Sequence, residues 1–131
     1  MSIGEFTLGC IADIYEAADR VHISLGGAGF SESAYQHAVS AELGNCQTEV
    51  VRVIYHKRSD GCNIGVGTVR FDIVYYNIVI EIKVYPTKPR ATGAPPQLQA
   101  QLRAYKRMLF PNEYLYSISF FKDGVVVAGP V

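Results

Sequence analysis

The chain has 131 residues, 49% hydrophobic and 18% charged, with a formal net charge of zero. This composition excludes a disordered or collagen-like chain, and the length suits one domain, residues 1–131, able to bury a core without disulfide or metal staples. The absence of net positive charge argues against strong autonomous binding to a nucleic-acid duplex.

In chain order, Ile11, Ile14, Tyr15, Ala18, Val21 and Leu25 recur at helical spacing and predict an amphipathic helix ended by Gly26-Gly27-Ala28-Gly29. Ser31 is a good N-cap for a second helix, and Phe30 and Tyr35 are spaced as a hydrophobic staple. Its apolar stripe is Tyr35, Val39 and Leu43, and Gly44-Asn45 stops it. Residues 46–57 predict a strand rich in Val, Ile and Tyr, and Ser59-Asp60-Gly61 a turn. Residues 66–76 and 78–85 predict two more strands. A loop with Pro86, Pro89, Gly93, Pro95 and Pro96 precedes a third helix from about Pro96 to Leu109, with Leu98, Leu102, Tyr105 and Leu109 as its core stripe. Residues 114–121 and 125–128 predict short strands joined by Lys122-Asp123-Gly124, which carries the Asp-Gly hairpin signal. The predicted order is α-α-β-β-β-α-β-β.

The segment from Thr68 to Tyr85 holds the most chemistry. Strand side chains alternate between faces. That puts Val69, Phe71, Ile73 and Tyr75 on one face of the first strand and Arg70 and Asp72 on the other. Ile78, Ile80, Ile82 and Val84 share one face of the second strand, with Glu81 and Lys83 opposite. Both apolar sets need the core, and a one-residue slip would reverse every side chain. A turn at Tyr76-Asn77, with Asn tolerating the left-handed conformation, pairs 75 with 78, 73 with 80 and 72 with 81. Asp72 and Glu81 are then expected as direct neighbours, with Arg70 facing Lys83. Two opposed carboxylates need a counter-charge. A divalent cation such as Mg²⁺ supplies one through oxygen ligands and polarises a phosphoryl group, and Lys83 on the same face suits stabilising negative charge. On spacing alone, a surface ion-pair network of the same four residues stays open.

Glu32 falls at the 32, 35, 39, 43 spacing, so it is expected to point toward the core side, where an acid needs a cation or hydrogen-bond partners. A first-turn acid serving the helix dipole is the alternative. Gln101 and Tyr105 lie one turn apart at the edge of the third helix's stripe, with Arg103, Lys106 and Arg107 on its exposed side. His22, near the apolar face of the first helix, reads better as a packed histidine than as a ligand. The run Gly26–Gly29 lacks the lysine and preceding strand of a phosphate-binding loop.

Charge is also segregated. Residues 1–81 carry ten acids and five Lys/Arg, whereas residues 82–131 carry seven Lys/Arg and two acids. No acid lies between Ile82 and Asn112, against Lys83, Lys88, Arg90, Arg103, Lys106 and Arg107. A basic field beside acids suits a phosphate-bearing partner. Cys10, Cys46 and Cys62 are odd in number and widely spaced, which argues for a reducing compartment, cytoplasmic or nuclear. No signal peptide or membrane span is expected.

Taken together these residues resemble the PD-(D/E)XK nuclease superfamily. Asp72 followed by Glu81-Ile82-Lys83 resembles its D…E-x-K core, and Gln101 to Tyr105 its Q-x-x-x-Y motif. Within the superfamily, Gly29-Phe30-Ser31-Glu32-Ser33-Ala34-Tyr35 is similar to the motif that gives the GxxExxY proteins their name. The resemblance spans about residues 10–128, with Phe71 where the superfamily name has Pro. It implies a restriction-endonuclease-like α/β core, a central mixed β-sheet flanked by helices. It implies that Glu32, Asp72, Glu81 and the carbonyl of Ile82 hold Mg²⁺ or Mn²⁺, that Lys83 is the catalytic lysine, and that Gln101 and Tyr105 support the site or substrate. A metal-activated water would attack a DNA phosphodiester, with Arg70, Arg103, Lys106 and Arg107 contacting the substrate. The competing expectation is a catalytically silent module of the same fold that binds nucleic acid or protein. A homodimer or larger complex stays open.

Overall fold

The computed structural model describes residues 4–85 and 96–131. The proline-containing loop and the basic residues Lys88 and Arg90 lie outside the described residues. The observed order is α1 (Glu5–Leu25), α2 (Glu32–Leu43), β1 (Gln47–Lys57), β2 (Asn63–Tyr75), β3 (Ile78–Val84), α3 (Pro96–Lys106), β4 (Tyr114–Phe121) and β5 (Gly124–Ala128). The five strands form one sheet in chain order, with β3–β4 parallel and the other neighbours antiparallel. This is the mixed sheet flanked by helices expected of a restriction-endonuclease-like α/β core.

Helices cover both faces. Ile14, Ala18 and Val21 of α1 and Tyr35 and Val39 of α2 pack on Ile73, Ile78, Ile80, Ile82, Ile118 and Phe120. On the opposite face Leu98 and Leu102 of α3 pack on Phe71, Val79 and Leu115. Alternation along β3 and β4 produces this division, since even positions meet the first layer and odd positions the second.

Helix α1 starts earlier than its apolar spacing suggests and buries Cys10 and Ala17 as well, while Tyr15 is exposed and reaches the Val127 carbonyl at 3.4 Å. The Ser31 side chain accepts from the Ala34 N–H, and the Phe30 and Tyr35 rings lie 6.5 Å apart, as the cap and staple require. Glu32, in contrast, is exposed rather than directed at the core. The first turn of a helix still borders solvent, so helical spacing alone does not bury it. Helix α3 is regular only to Lys106, its continuation forming turns through Leu109.

In the hairpin, the pairs 73–80 and 75–78 match the expected register. The left-handed residue at its tip is Tyr76, with φ 53°, and Asn77 instead donates its amide to Thr7 and Asn112. Val69 and Phe71 do not share a layer with Ile73 and Tyr75. The first two belong to the α3 layer and the second two to the α1–α2 layer. The apolar side of β2 therefore passes from one helical layer to the other at Asp72. A regular-strand reading misses this because the β1–β2 ladder is interrupted opposite Asp72, at Glu49, whose φ is 53°, and strict alternation does not carry across such a break.

Two local features hold these layers together. Gly27, just beyond α1, meets the backbone of Phe121 and Lys122, and a Cβ there would overlap the Phe121 carbonyl oxygen. Arg52 of β1 makes a bidentate pair with Glu113 at 2.6 and 2.7 Å, donates to the Met108 carbonyl, and stacks 4.1 Å from the Phe110 ring centroid. Burial works to raise the Glu113 pKa, but hydrogen bonds from Arg52 and the Phe110 N–H outweigh it and hold the carboxyl below its ordinary value. Gly27→Ala is expected to cost about 1–3 kcal/mol or more through overpacking, measured by chemical denaturation. Arg52→Met, which leaves Glu113 buried without its cation, is expected to cost about 3–5 kcal/mol. A neutral result for either in the same measurement contradicts the packing described.

Candidate active site

The site forms where β2 and β3 part. Their ladder ends at Ile73–Ile80, so Asp72 and Glu81 are not a backbone pair as the sequence register would continue them. The Asp72 carboxylate instead accepts from the Ile82 N–H at 2.8 Å. A buried amide needs a partner, and here a side chain replaces the missing strand contact. That hydrogen bond anchors one oxygen of Asp72 and sets its carboxylate beside Glu81.

Glu81 is 4% exposed. Its Oε1 lies 3.6 Å from the Lys83 ammonium, and its Oε2 is buried with no hydrogen-bond partner. Burial and then the neighbouring charge of Asp72 push its pKa up to about 8, against the pull of Lys83. For Lys83, burial works to lower the pKa, but the carboxylates of Glu81, Glu32 and Asp72 outweigh it and raise it. Both shifts express one surplus, several carboxylates around a single ammonium in a poorly hydrated corner.

The other sequence candidates divide. Glu32 is exposed at the start of α2, yet its charge acts on both Lys83 and Tyr85. Gln101 donates to the Tyr105 hydroxyl at 3.0 Å, and the Tyr105 ring packs edge-on against Phe71 at 5.3 Å, beside Asp72 in sequence. Arg103 and Lys106 of α3 and Arg107 just beyond it are exposed. Arg70 does not face Lys83 as expected; it is exposed and lies 3.7 Å from Glu49, because β2 turns away from β3 below Ile73.

A family model for the PD-(D/E)XK nuclease superfamily matches residues 9–110, most of the chain, a range that includes Asp72, Glu81 and Lys83. The chain belongs to the PD-(D/E)XK nuclease superfamily. Nuclease-type function and contact with nucleic acid follow at the level of the family, whose members usually use divalent metals. Curated proteins and solved structures gave no match.

The superfamily's cation fits the residues present on one observation: Glu81 offers a buried, unpartnered carboxylate oxygen beside a second carboxylate. Among the described residues no group of three or more His, Cys, Asp or Glu side chains forms a ready metal shell. Two carboxylates there would leave the shell of a divalent cation to be completed by backbone oxygen, water or substrate.

Three residues escaped the sequence reading. Tyr85 continues the parity of Glu81 and Lys83 and stacks on Phe121 at 5.6 Å. Ser117 and Ser119 of β4 are buried and lie in register with Glu81 and Lys83 respectively, about 4.8 Å away across the parallel ladder. The available signal was two serines at alternate positions in an otherwise apolar strand.

In the metal-free protein, folding holds a Glu81 proton that the unfolded chain releases near pH 4.5. Stability from this group is complete below that pH and is lost as pH rises through about 8. Thermal denaturation in chelator is therefore expected to give a lower Tm at pH 9 than at pH 5.5. Glu81→Gln should flatten that difference, and Mg²⁺ or Mn²⁺ should restore the alkaline Tm of the parent. A parent Tm in chelator that does not fall on the alkaline side contradicts the assignment.

Proposed function

We propose that this protein is a metal-dependent nuclease that hydrolyses phosphodiester bonds of DNA, using Asp72, Glu81 and Lys83. The observation that carries this reading is the unpartnered, buried oxygen of Glu81, held beside Asp72 and within reach of Lys83. A structural ion pair alone would not leave that oxygen without a donor. In this reading Asp72, Glu81 and the Ile82 carbonyl hold Mg²⁺ or Mn²⁺, with Glu32 approaching from the start of α2. The cation, when bound, offsets the carboxylate charge and acidifies a water for attack at phosphorus.

The chain's own groups then divide the remaining work. The Ile82 N–H keeps Asp72 aimed and prevents it from turning to solvent. The Lys83 ammonium stays charged among three carboxylates and stabilises negative charge developing on the phosphoryl oxygens. Gln101 and Tyr105, bonded to each other, brace the α3 side of the site. Arg103, Lys106 and Arg107 contact backbone phosphates, and such contacts position the strand without reading its sequence. Arg70, paired with Glu49, would contact the strand only by leaving that exposed and weak pair. Gly29, Glu32 and Tyr35 support placement among the GxxExxY proteins: Tyr35 is fully buried, and its hydroxyl accepts from the Gly29 N–H at 3.1 Å. The motif's glycine and tyrosine thus fix the loop that delivers Glu32.

A second reading, a silent module of the same fold, is favoured by the exposed position of Glu32 at the start of α2. Incubating single- and double-stranded DNA with the protein in Mg²⁺, Mn²⁺ or EDTA separates the two. Metal-dependent cleavage is expected, falling about 100-fold or more in Lys83→Met and in Asp72→Asn. The asparagine retains an acceptor for the Ile82 N–H, so the fold is spared. Cleavage that persists in both variants removes these residues from the chemistry, whereas DNA binding without cleavage supports the silent module.

A further inference from the structure

Strand β1 is the outer strand of the sheet and pairs only with β2. Edge strands in soluble proteins are normally guarded by proline, lysine, a bulge or a short length. None of these guards the middle of β1, an 11-residue strand. Residues 50–56 contain no proline, glycine, lysine or acid. The one register shift in this hairpin, beside Ile54 and Tyr55, skips Val66 and so bulges β2, leaving β1 continuous. The charge that β1 does carry there, Arg52, is already engaged inward with Glu113.

The face of β1 opposite Arg52 is apolar and open. Val51, Val53 and Tyr55 are 58%, 41% and 64% exposed. Three such side chains at alternate positions form a stripe rather than scattered surface residues. The regular run has a centre. It is bounded by Glu49, whose φ is 53°, and by Lys57, where the strand ends, and both lie four residues from Val53.

We infer that β1 is a self-association surface, pairing antiparallel with β1 of a second copy about a two-fold axis at Val53. That register sets Val53 against Val53 on the axis, and Val51 against Tyr55 and Glu49 against Lys57 twice each by symmetry. Apolar side chains meet apolar ones and an acid meets a base at both ends, a complementarity that any other register loses. The Glu49–Arg70 pair at 3.7 Å is exposed on both sides and easily exchanged. The sheet thereby becomes ten-stranded and continuous, with the two candidate active sites on one assembly. This inference is independent of whether the site cleaves DNA.

Sedimentation velocity over a range of protein concentrations tests it. The parent is expected to approach twice the chain mass as concentration rises. Val53→Lys, on an exposed position, should weaken association about tenfold or more, equivalent to ~1.4 kcal/mol, with an unchanged circular dichroism spectrum. Tyr55→Glu, at a still more exposed position, gives a second variant should the first misfold. Glu49→Lys and Lys57→Glu should each weaken it a few-fold, and the double exchange should recover it. A parent that stays monomeric, or a dimer indifferent to Val53→Lys and Tyr55→Glu, overturns the proposal. So does a Val53→Lys variant whose only change is weaker DNA binding, which would assign the stripe to nucleic acid.

Discussion

The parting of β2 from β3 after the Ile73–Ile80 pair is the constraint on which the rest depends. A sheet that remained fully laddered would satisfy the Ile82 amide with backbone and leave Asp72 no structural task. Because the strands separate, the amide needs another acceptor, and a carboxylate supplies it through a charge-assisted bond. One hydrogen bond thus joins the strands at their fork and holds an acid against a second acid. The same fork frees β2 to turn toward α3 and to extend with β1 beyond the helices.

Burial makes that fork chemically useful. A carboxylate in water has little reason to bind a cation selectively. Glu81 is almost fully enclosed, with one oxygen unpartnered, and the cost of its charge is offset only in part by Lys83 at 3.6 Å. The fold maintains this costly arrangement because the surrounding layers are built without it: isoleucines on one side of β3 meet α1 and α2, and Val79 meets α3 on the other. Glu81 and Lys83 are the two polar residues of this otherwise apolar strand.

The same economy explains how a chain with no net charge can serve a polyanion. Eight of the twelve acids lie at the fork and on the first two helices, whereas Arg103 and Lys106 of α3, with Arg107 just beyond it, face solvent. Local field rather than net charge governs approach of a phosphate backbone. Pairing of β1 between two copies would further double the basic surface available to one nucleic-acid strand.

Much of this was legible in the residues themselves. Period-2 alternation with a two-residue turn specified the register at the β2–β3 hairpin tip, and it put Glu81 and Lys83 on one face, because a slip would have turned four branched side chains away from the α1–α2 layer. The Ser31 cap, the Phe30–Tyr35 staple and the Asp-Gly turn are local chemistry, and local chemistry is written in neighbouring residues. The direction of Glu32, the passage of β2 between layers at Asp72, the pairing of Arg70 with Glu49 and the alignment of Ser117 and Ser119 with the site were decided only by the tertiary structure. Each depends on which element lies alongside, or on a local break in a strand's pairing. Periodicity records which side of an element is apolar, but not where the element ends or what it meets. The sequence by itself determined the order of the elements and the register at the tip of the β2–β3 hairpin. The assembled sheet determined that Asp72 would be tied to Ile82 and that Glu81 would be buried with an oxygen to spare.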